Sequence, residues 1–295
     1  MSTINQVNPA MKNWFDSVIY CPYFTNGQLP EGHPCREICE CQYDKPLSDR
    51  QVPEPYNGNP ITSRLIFISS NPSIGDNEDN PTTSWDYNDI WDFFNERFNP
   101  LRPNPVDPYV WHEPNTYKYY PRYKPETGVL KPNATHPVTT RDYSKLPVTF
   151  WRNAAKIADL LLGQGATLQD CLLTELVHCK SKEQTGVHEA MCTCFGKFFG
   201  GFLDMITKVH KVDSEKEIVM VVTGKETISA INCYALKANY AFLVPNKIAV
   251  WVVNNRKINL IPAAHLSDRV TDPNKDGAGF LKLLPGQIAH IKSII

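Results

Sequence analysis

The sequence predicts an α/β fold, a three-layer α/β/α sandwich around a central, mainly parallel sheet of four or five strands. Short continuous apolar runs such as Leu65-Ile-Phe-Ile68 and Ile218-Val-Met-Val-Val222 have the length and composition of strands buried on both faces. Segments with apolar residues at helical spacing lie between them, so strand and helix alternate. Parallel strands joined through helices carry those helices on the two faces of one sheet.

Residues 1–60 read as an irregular N-terminal arm with several prolines and an amphipathic turn or two around Met11–Ile19. Residues 61–295 read as the α/β domain. Its first strand, about 64–69, ends in the polar turn Ser70-Asn71-Pro72-Ser73-Ile74-Gly75. An acidic loop with Asp76 and Asp79 leads to a helix at about 86–98, apolar at 87, 90, 91, 94 and 98 and acidic in its first turn. Residues 99–147 form a Pro- and Tyr-rich insertion whose ten prolines exclude a regular helix or central strand. Within it, Tyr117-Lys118-Tyr119-Tyr120-Pro121-Arg122-Tyr123-Lys124 interleaves rings with cations, which suits stacking on bases and meeting phosphates, or covering the adjacent core.

A helix at 148–162, with Phe150, Ala154, Ile157, Ala158 and Leu161 on one face, ends at Gly163. The run Cys171-Leu-Leu-Thr-Glu-Leu-Val177 is the next buried strand, followed by a helix at 187–209. The strand at 218–222 ends at Thr223-Gly224 before a helix at 225–238. Lys225 after Gly224 invites a phosphate-loop reading, but the upstream glycines are absent, which excludes nucleotide triphosphatase chemistry. Strands at about 247–253 and 258–262 follow, and the last ends in Pro262-Ala-Ala-His265-Leu266-Ser267-Asp268-Arg269. The remainder, through Phe280-Leu-Lys-Leu-Leu284, reads as a loop and a closing helical turn.

With 295 residues, 42% of them hydrophobic, the chain can bury a large core without disulfides. No secretory segment is expected before residue 11, and no apolar run approaches the roughly 18 residues that span a bilayer. The expectation is a soluble monomer, cytoplasmic or nucleoid-associated, with no membrane partner. A formal charge of −1 argues against an unstructured polybasic binder but leaves room for a local phosphate-binding patch. The nine cysteines fall into an early group (Cys21, Cys35, Cys39, Cys41) and a late one (Cys171, Cys179, Cys192, Cys194, Cys233). Such grouping in a cytosolic chain suggests metal or iron–sulfur ligation more readily than disulfides. No His-x-Glu segment is paired with Pro-Cys-x-x-Cys, which argues against a zinc deaminase.

Three segments, in order and each at a predicted strand end, carry a resemblance. Ser70-Asn71-Pro72-Ser73 is similar to the Gly-x-Asn-Pro-Gly water-activating segment of the mismatch-specific and single-strand-selective branches of the uracil-DNA glycosylase superfamily. Thr174-Glu175-Leu176-Val177-His178-Cys179, with Thr185 and Cys192 downstream, resembles the Thr-Asn-Ala-Val-Lys-Cys…Thr-Pro…Cys region of its iron–sulfur branch. His265-Leu266-Ser267 stands where the superfamily has His-Pro-Ser. The resemblance spans residues 64–269; it lacks the Pro after His265 and the second Gly of the first motif.

The resemblance implies a monofunctional DNA glycosylase that hydrolyses the N-glycosidic bond of an extruded base and leaves an abasic site. That reaction needs a negative-charge acceptor on the base side and a positioned water on the sugar side. By the resemblance, Asn71 holds the water through its carbonyl oxygen and His265 donates to the pyrimidine O2. Trp85 would stack on the extruded base, with Ser70 and Glu175 beside it. Leu266 is the first choice for the wedge that fills the vacated stack, Arg269 the second. Ser73 and Ser267 would meet phosphates, joined by Lys118, Arg122 and Lys124 of the insertion. By the resemblance Cys179 and Cys192, with two more thiolates from Cys35, Cys39 and Cys41 (Cys35 and Cys39 first, Cys21 an outside choice), would hold a structural [4Fe-4S] cluster, a cofactor the reaction itself does not need.

Glu175 departs from the pattern, occupying the place of the Asn that reads uracil. An ionised carboxylate only accepts, which suits a cytosine N4 amino group, so cytosine or a modified cytosine is the expected base. A protonated Glu175 would instead donate to O4 and give a uracil-DNA glycosylase. A non-catalytic DNA-binding protein and a nucleoside-level N-glycosidase are the competing functions.

Overall fold

A computed structural model describes residues 7–25, 29–72, 80–98, 149–163, 166, 168–210, 217–266 and 285–295. A five-stranded sheet in the order β2-β1-β3-β5-β4 forms the middle layer. Its strands are β1 (Leu65–Ser69), β2 (Cys171–Glu175), β3 (Ile218–Thr223), β4 (Ala249–Val253) and β5 (Arg256–Ala263). The pairings β2-β1-β3-β5 are parallel and β4 joins β5 antiparallel, which matches the mainly parallel sheet expected.

Strands β1, β2 and β3 are buried along their whole length because helices cover both faces. Strand periodicity sends alternate residues to opposite layers. Ile66, Ile68, Leu172, Met220 and Val222 enter one core, Leu65, Phe67, Leu173, Val219 and Val221 the other. The first core is closed by α1 (Pro9–Ile19), α4 (Tyr87–Asn95), α6 (Val187–Val209) and α7 (Lys225–Ala238). The second is closed by α5 (Thr149–Leu162) and α8 (Pro285–Ile294).

The N-terminal arm is more regular than its prolines suggest. Helix α1 runs 11 residues, started by Pro9 in its first turn and by Asn8, whose side chain accepts from the Ala10 N–H. Met11, Trp14, Phe15 and Val18 are buried in the first core, and Trp14 Nε1 donates to the Phe198 carbonyl on α6 at 3.1 Å. The arm continues through α2 (Pro22–Thr25) and α3 (Arg36–Glu40). Close approach pins α3 to the start of α6: a Cβ on Gly186 would lie 2.5 Å from the Ile38 nitrogen, and φ is +68° there.

The β4–β5 turn uses Asn254 and Asn255, both at positive φ (50° and 62°), which suits a tight antiparallel hairpin. The closing segment forms a ten-residue helix, α8, in place of the single turn expected. Among the described residues no helix is long and apolar enough to cross a membrane. The insertion at 99–147 lies outside the described residues.

Candidate functional site

The sheet register brings the segments that carry Asn71 and His265 to one level of one edge. Ile68 pairs with Val222, and Val222 with Pro262. Asn71 is three residues past Ile68 and His265 three past Pro262, at the carboxyl ends of β1 and β5. Only β3 lies between, so two strand spacings, about 10 Å, separate the two strands. The carboxyl edge of a parallel sheet is where open α/β folds place ligands.

Asn71 is 7% exposed. Its Nδ2 donates to the Pro72 carbonyl at 2.9 Å and to Ser181 Oγ at 2.8 Å, and Oδ1 has no partner among the described residues. The turn is fastened to the segment after β2: Val177 N donates to the Ser70 carbonyl at 2.9 Å and Ser181 N to that of Pro72 at 3.2 Å. Among the described residues this leaves one buried acceptor of the amide without a donor, and a donor such as water supplied there offsets about 1–3 kcal/mol.

Glu175 lies deeper, in register with Ser69, two residues before Asn71. It is 5% exposed; the Ser69 side chain hydrogen-bonds it, and Oε2 has no partner among the described residues. Burial pushes its carboxyl well above the usual carboxylate range and the neighbouring Glu54 adds to this, while Lys180, the Ser69 hydrogen bond and Arg97 pull less strongly the other way. These surroundings favour the neutral, protonated form of Glu175.

Glu54 has the opposite fate. Burial would raise it, but Lys180, Arg97 and the hydrogen bonds from Lys180 and Asn57 hold it down at about 2. Lys180 Nζ donates to Glu54 Oε2 at 2.6 Å, and Arg97 Nη1 stands 3.6 Å from Oε1 while donating to Asn57 Oδ1. The fully buried His178 bonds the Glu54 carbonyl through Nδ1 at 2.8 Å, and burial lowers it to about 4, so it is neutral. This network fixes residues 178–181, the same segment whose Ser181 positions Asn71.

Sequence reasoning missed Glu54, Lys180 and Arg97, and it missed Asn80. The latter is 2% exposed and neither side-chain polar atom has a partner among the described residues. A short antiparallel contact places Asn80 beside the segment leading into Glu54: Gln51 bridges Thr82, and Val52 N donates to the Pro81 carbonyl at 2.9 Å. His265 is half-buried at the other side of the edge, its ring 6.4 Å from that of Phe150. A Cβ on Gly224, where φ is +89°, would come 3.1 Å from His265 Cδ2, so the start of α7 packs directly on the imidazole.

Two sequence expectations change. Leu266 is fully buried in the second core, with its carbonyl held by Asn153 Nδ2 at 2.6 Å, so it packs the fold and is not poised as a wedge. The [4Fe-4S] cluster is withdrawn: among the described residues no group of three or more His, Cys, Asp or Glu is placed to hold a metal. Of its four proposed ligands, Cys35, Cys39 and Cys179 are buried, but Cys192 is exposed; Cys194 is the inward-facing thiol of that helix. Trp85 is half-buried and packs edge-on against Phe93 at 6.0 Å, a place in the wall of the first core. Ser73, Ser267, Arg269, Lys118, Arg122 and Lys124 lie outside the described residues. A groove of about 550 Å³ beside α7, lined by Lys225, Leu236, Phe242 and Pro262 among others, includes none of Asn71, Glu175 and His265. No protein-family model, curated protein or solved structure matches this chain.

Proposed function

We propose that the chain is a monofunctional DNA glycosylase that acts on a pyrimidine rotated out of DNA and leaves an abasic site. The observation that carries this reading is the common level of Asn71 and His265 on one sheet edge, with Asn71 Oδ1 and, two residues back in register, Glu175 Oε2 both buried and without a partner among the described residues. Asn71 Oδ1 accepts from a water and aims it at the anomeric carbon. An amide does not remove the proton early, so bond breaking runs ahead of water attack. His265 donates to the pyrimidine O2 as negative charge collects on the departing ring.

The state of Glu175 decides the base. A neutral carboxyl offers an O–H from Oε2, the atom without a partner among the described residues, and that donor complements a ring carbonyl. This favours a 4-carbonyl pyrimidine such as uracil over the cytosine that an ionised Glu175 would select. Asn80, with donor and acceptor both without a partner among the described residues, is the second amide available to the base edge.

Single- and double-stranded oligonucleotides carrying uracil, cytosine or 5-substituted cytosines, incubated with the protein and then cleaved with alkali, test the proposal. Strand breaks at uracil support it as stated. Breaks at cytosine or its derivatives keep the glycosylase and return Glu175 to its ionised form. DNA binding with no breaks on any member of the panel refutes catalysis.

A further inference from the structure

Five buried cysteines from distant parts of the chain converge where the N-terminal arm meets the segment after β2: Cys21, Cys35 and Cys39 from the arm, Cys179, and Cys194 on α6. Two of them touch. The Cys179 thiol donates to the Cys39 sulfur, which also lies 3.6 Å from the Tyr23 carbonyl. Cys179 sits between His178, whose N–H donates to Cys194 Sγ at 3.4 Å, and the Lys180-Ser181 pair that secures Glu54 and Asn71.

We propose that Cys39 and Cys179 form a reversible disulfide that ties α3 to the segment holding Asn71, and that its formation slows the site. The oxidant is a peroxide. The Cys39 sulfur attacks the O–O bond and becomes a sulfenic acid as water or hydroxide leaves; the Cys179 sulfur then displaces that oxygen as a second water. Two thiols together lose two electrons and two protons, and the peroxide gains them. Accepting the hydrogen bond from Cys179, with Arg50 nearby, makes Cys39 the more acidic of the two and hence the attacking sulfur. Because Cys39 is 1% exposed, reaction proceeds through local opening of the five-residue helix α3.

Closing the bond draws the sulfurs from hydrogen-bond contact to about 2 Å. The strain falls on residues 178–181, since Gly186 and its contact with α3 resist movement on the other side. Displacing Ser181 releases the Asn71 amide from one of its two acceptors. A misplacement of about 1 Å in a positioned group lowers the rate on the order of tenfold to a hundredfold.

The test uses the intact chain, reduced and then treated with hydrogen peroxide, alkylated, and mapped by mass spectrometry without reduction. A peptide joining Cys39 to Cys179, separable by dithiothreitol, is the expected result. Full alkylation of both after the exposed Cys192 and Cys233 have been oxidised would overturn the proposal, as would a cross-link from Cys39 to Cys21 or Cys35. The loss of rate rests on the glycosylase reading, whereas the cross-link does not. Peroxide should slow abasic-site formation by wild type and leave Cys39→Ser unaffected; a disulfide without loss of rate overturns the coupling. If the reduced chain forms no abasic sites, the glycosylase reading fails while the peptide map still decides the disulfide.

Discussion

Replacing Lys180 with Met is expected to destabilise the fold by about 3 kcal/mol at neutral pH. The side chain is 2% exposed and its Nζ lies 2.6 Å from Glu54 Oε2. Met preserves much of the volume but leaves the buried carboxylate with Arg97, 3.6 Å away, as its nearest remaining cation. Breaking one partner out of a buried pair costs about 3–5 kcal/mol, and the surviving Arg97 argues for the lower end. Lys180, Arg97 and Asn57 together, against the opposing effect of burial, hold the Glu54 carboxyl at about 2 instead of 4.5, a net effect of about 3 kcal/mol at about 1.4 kcal/mol per pH unit. The sign follows from the depressed value. Folded Glu54 binds its proton less tightly than the unfolded chain does, so this stability is present above pH 4.5 and is lost as pH falls through 2. In the Met variant the carboxyl climbs back toward its ordinary value and no longer shares that loss. Urea unfolding at several pH values should therefore show a gap between the two proteins that narrows from about pH 4.5 to about pH 2. A gap under about 1 kcal/mol at neutral pH, the range of exposed pairs, would refute the buried network, and so would a gap indifferent to acid.

Glu175→Gln should gain on wild type as pH rises above 4.5, by up to about 1.4 kcal/mol per pH unit, because the folded acid keeps a proton that the unfolded chain releases. Parallel urea-stability profiles would mean that Glu175 is ionised. His178 and His210 are both held near 4 by burial, so their contribution to stability should be full above pH 6.5 and fall toward pH 4 by about 1.4 kcal/mol per unit for each; in Glu175→Gln, where the opposing slope of Glu175 is removed, a profile flat across that window refutes it. Leu266→Ala should cost about 2–5 kcal/mol in denaturant unfolding, as a core leucine does. Unchanged stability with lost abasic-site formation would restore its role as a wedge. Gly224→Ala should destabilise by about 1 kcal/mol and slow abasic-site formation, since its Cβ meets the His265 ring in a left-handed backbone; an unaltered rate would detach that ring from the reaction.

Much of the fold was legible because its strands are apolar on both faces and its helices keep a clear stripe. The predicted bounds of the helices at 187–209 and 225–238 coincide with α6 and α7. Helix α8 escaped because Ile288, Ile291 and Ile294 make a sparse stripe on a short segment. Periodicity contained one unused signal: Cys194 shares a face of α6 with the buried Ala190, Met191 and Phe198, whereas Cys192 points away. The site was legible only as separate turns. That Asn71 and His265 stand level depends on the register among β1, β3 and β5, which local pattern does not encode. Glu54 carries no motif, and its meaning comes from Lys180, 126 residues away. Adjacency to His265 suggested Leu266 as a wedge, but sequence proximity is silent on which layer a side chain enters.

The central claim is that Asn71 and His265 work on opposite sides of one extruded nucleotide. Single-turnover abasic-site formation on a preferred oligonucleotide, measured for wild type, Asn71→Ala and His265→Ala beside their DNA affinities, tests it most directly. The account predicts rates reduced by about a hundredfold or more in each variant with binding little changed. Wild-type rates in both variants, or no abasic sites from the unaltered chain, would contradict it.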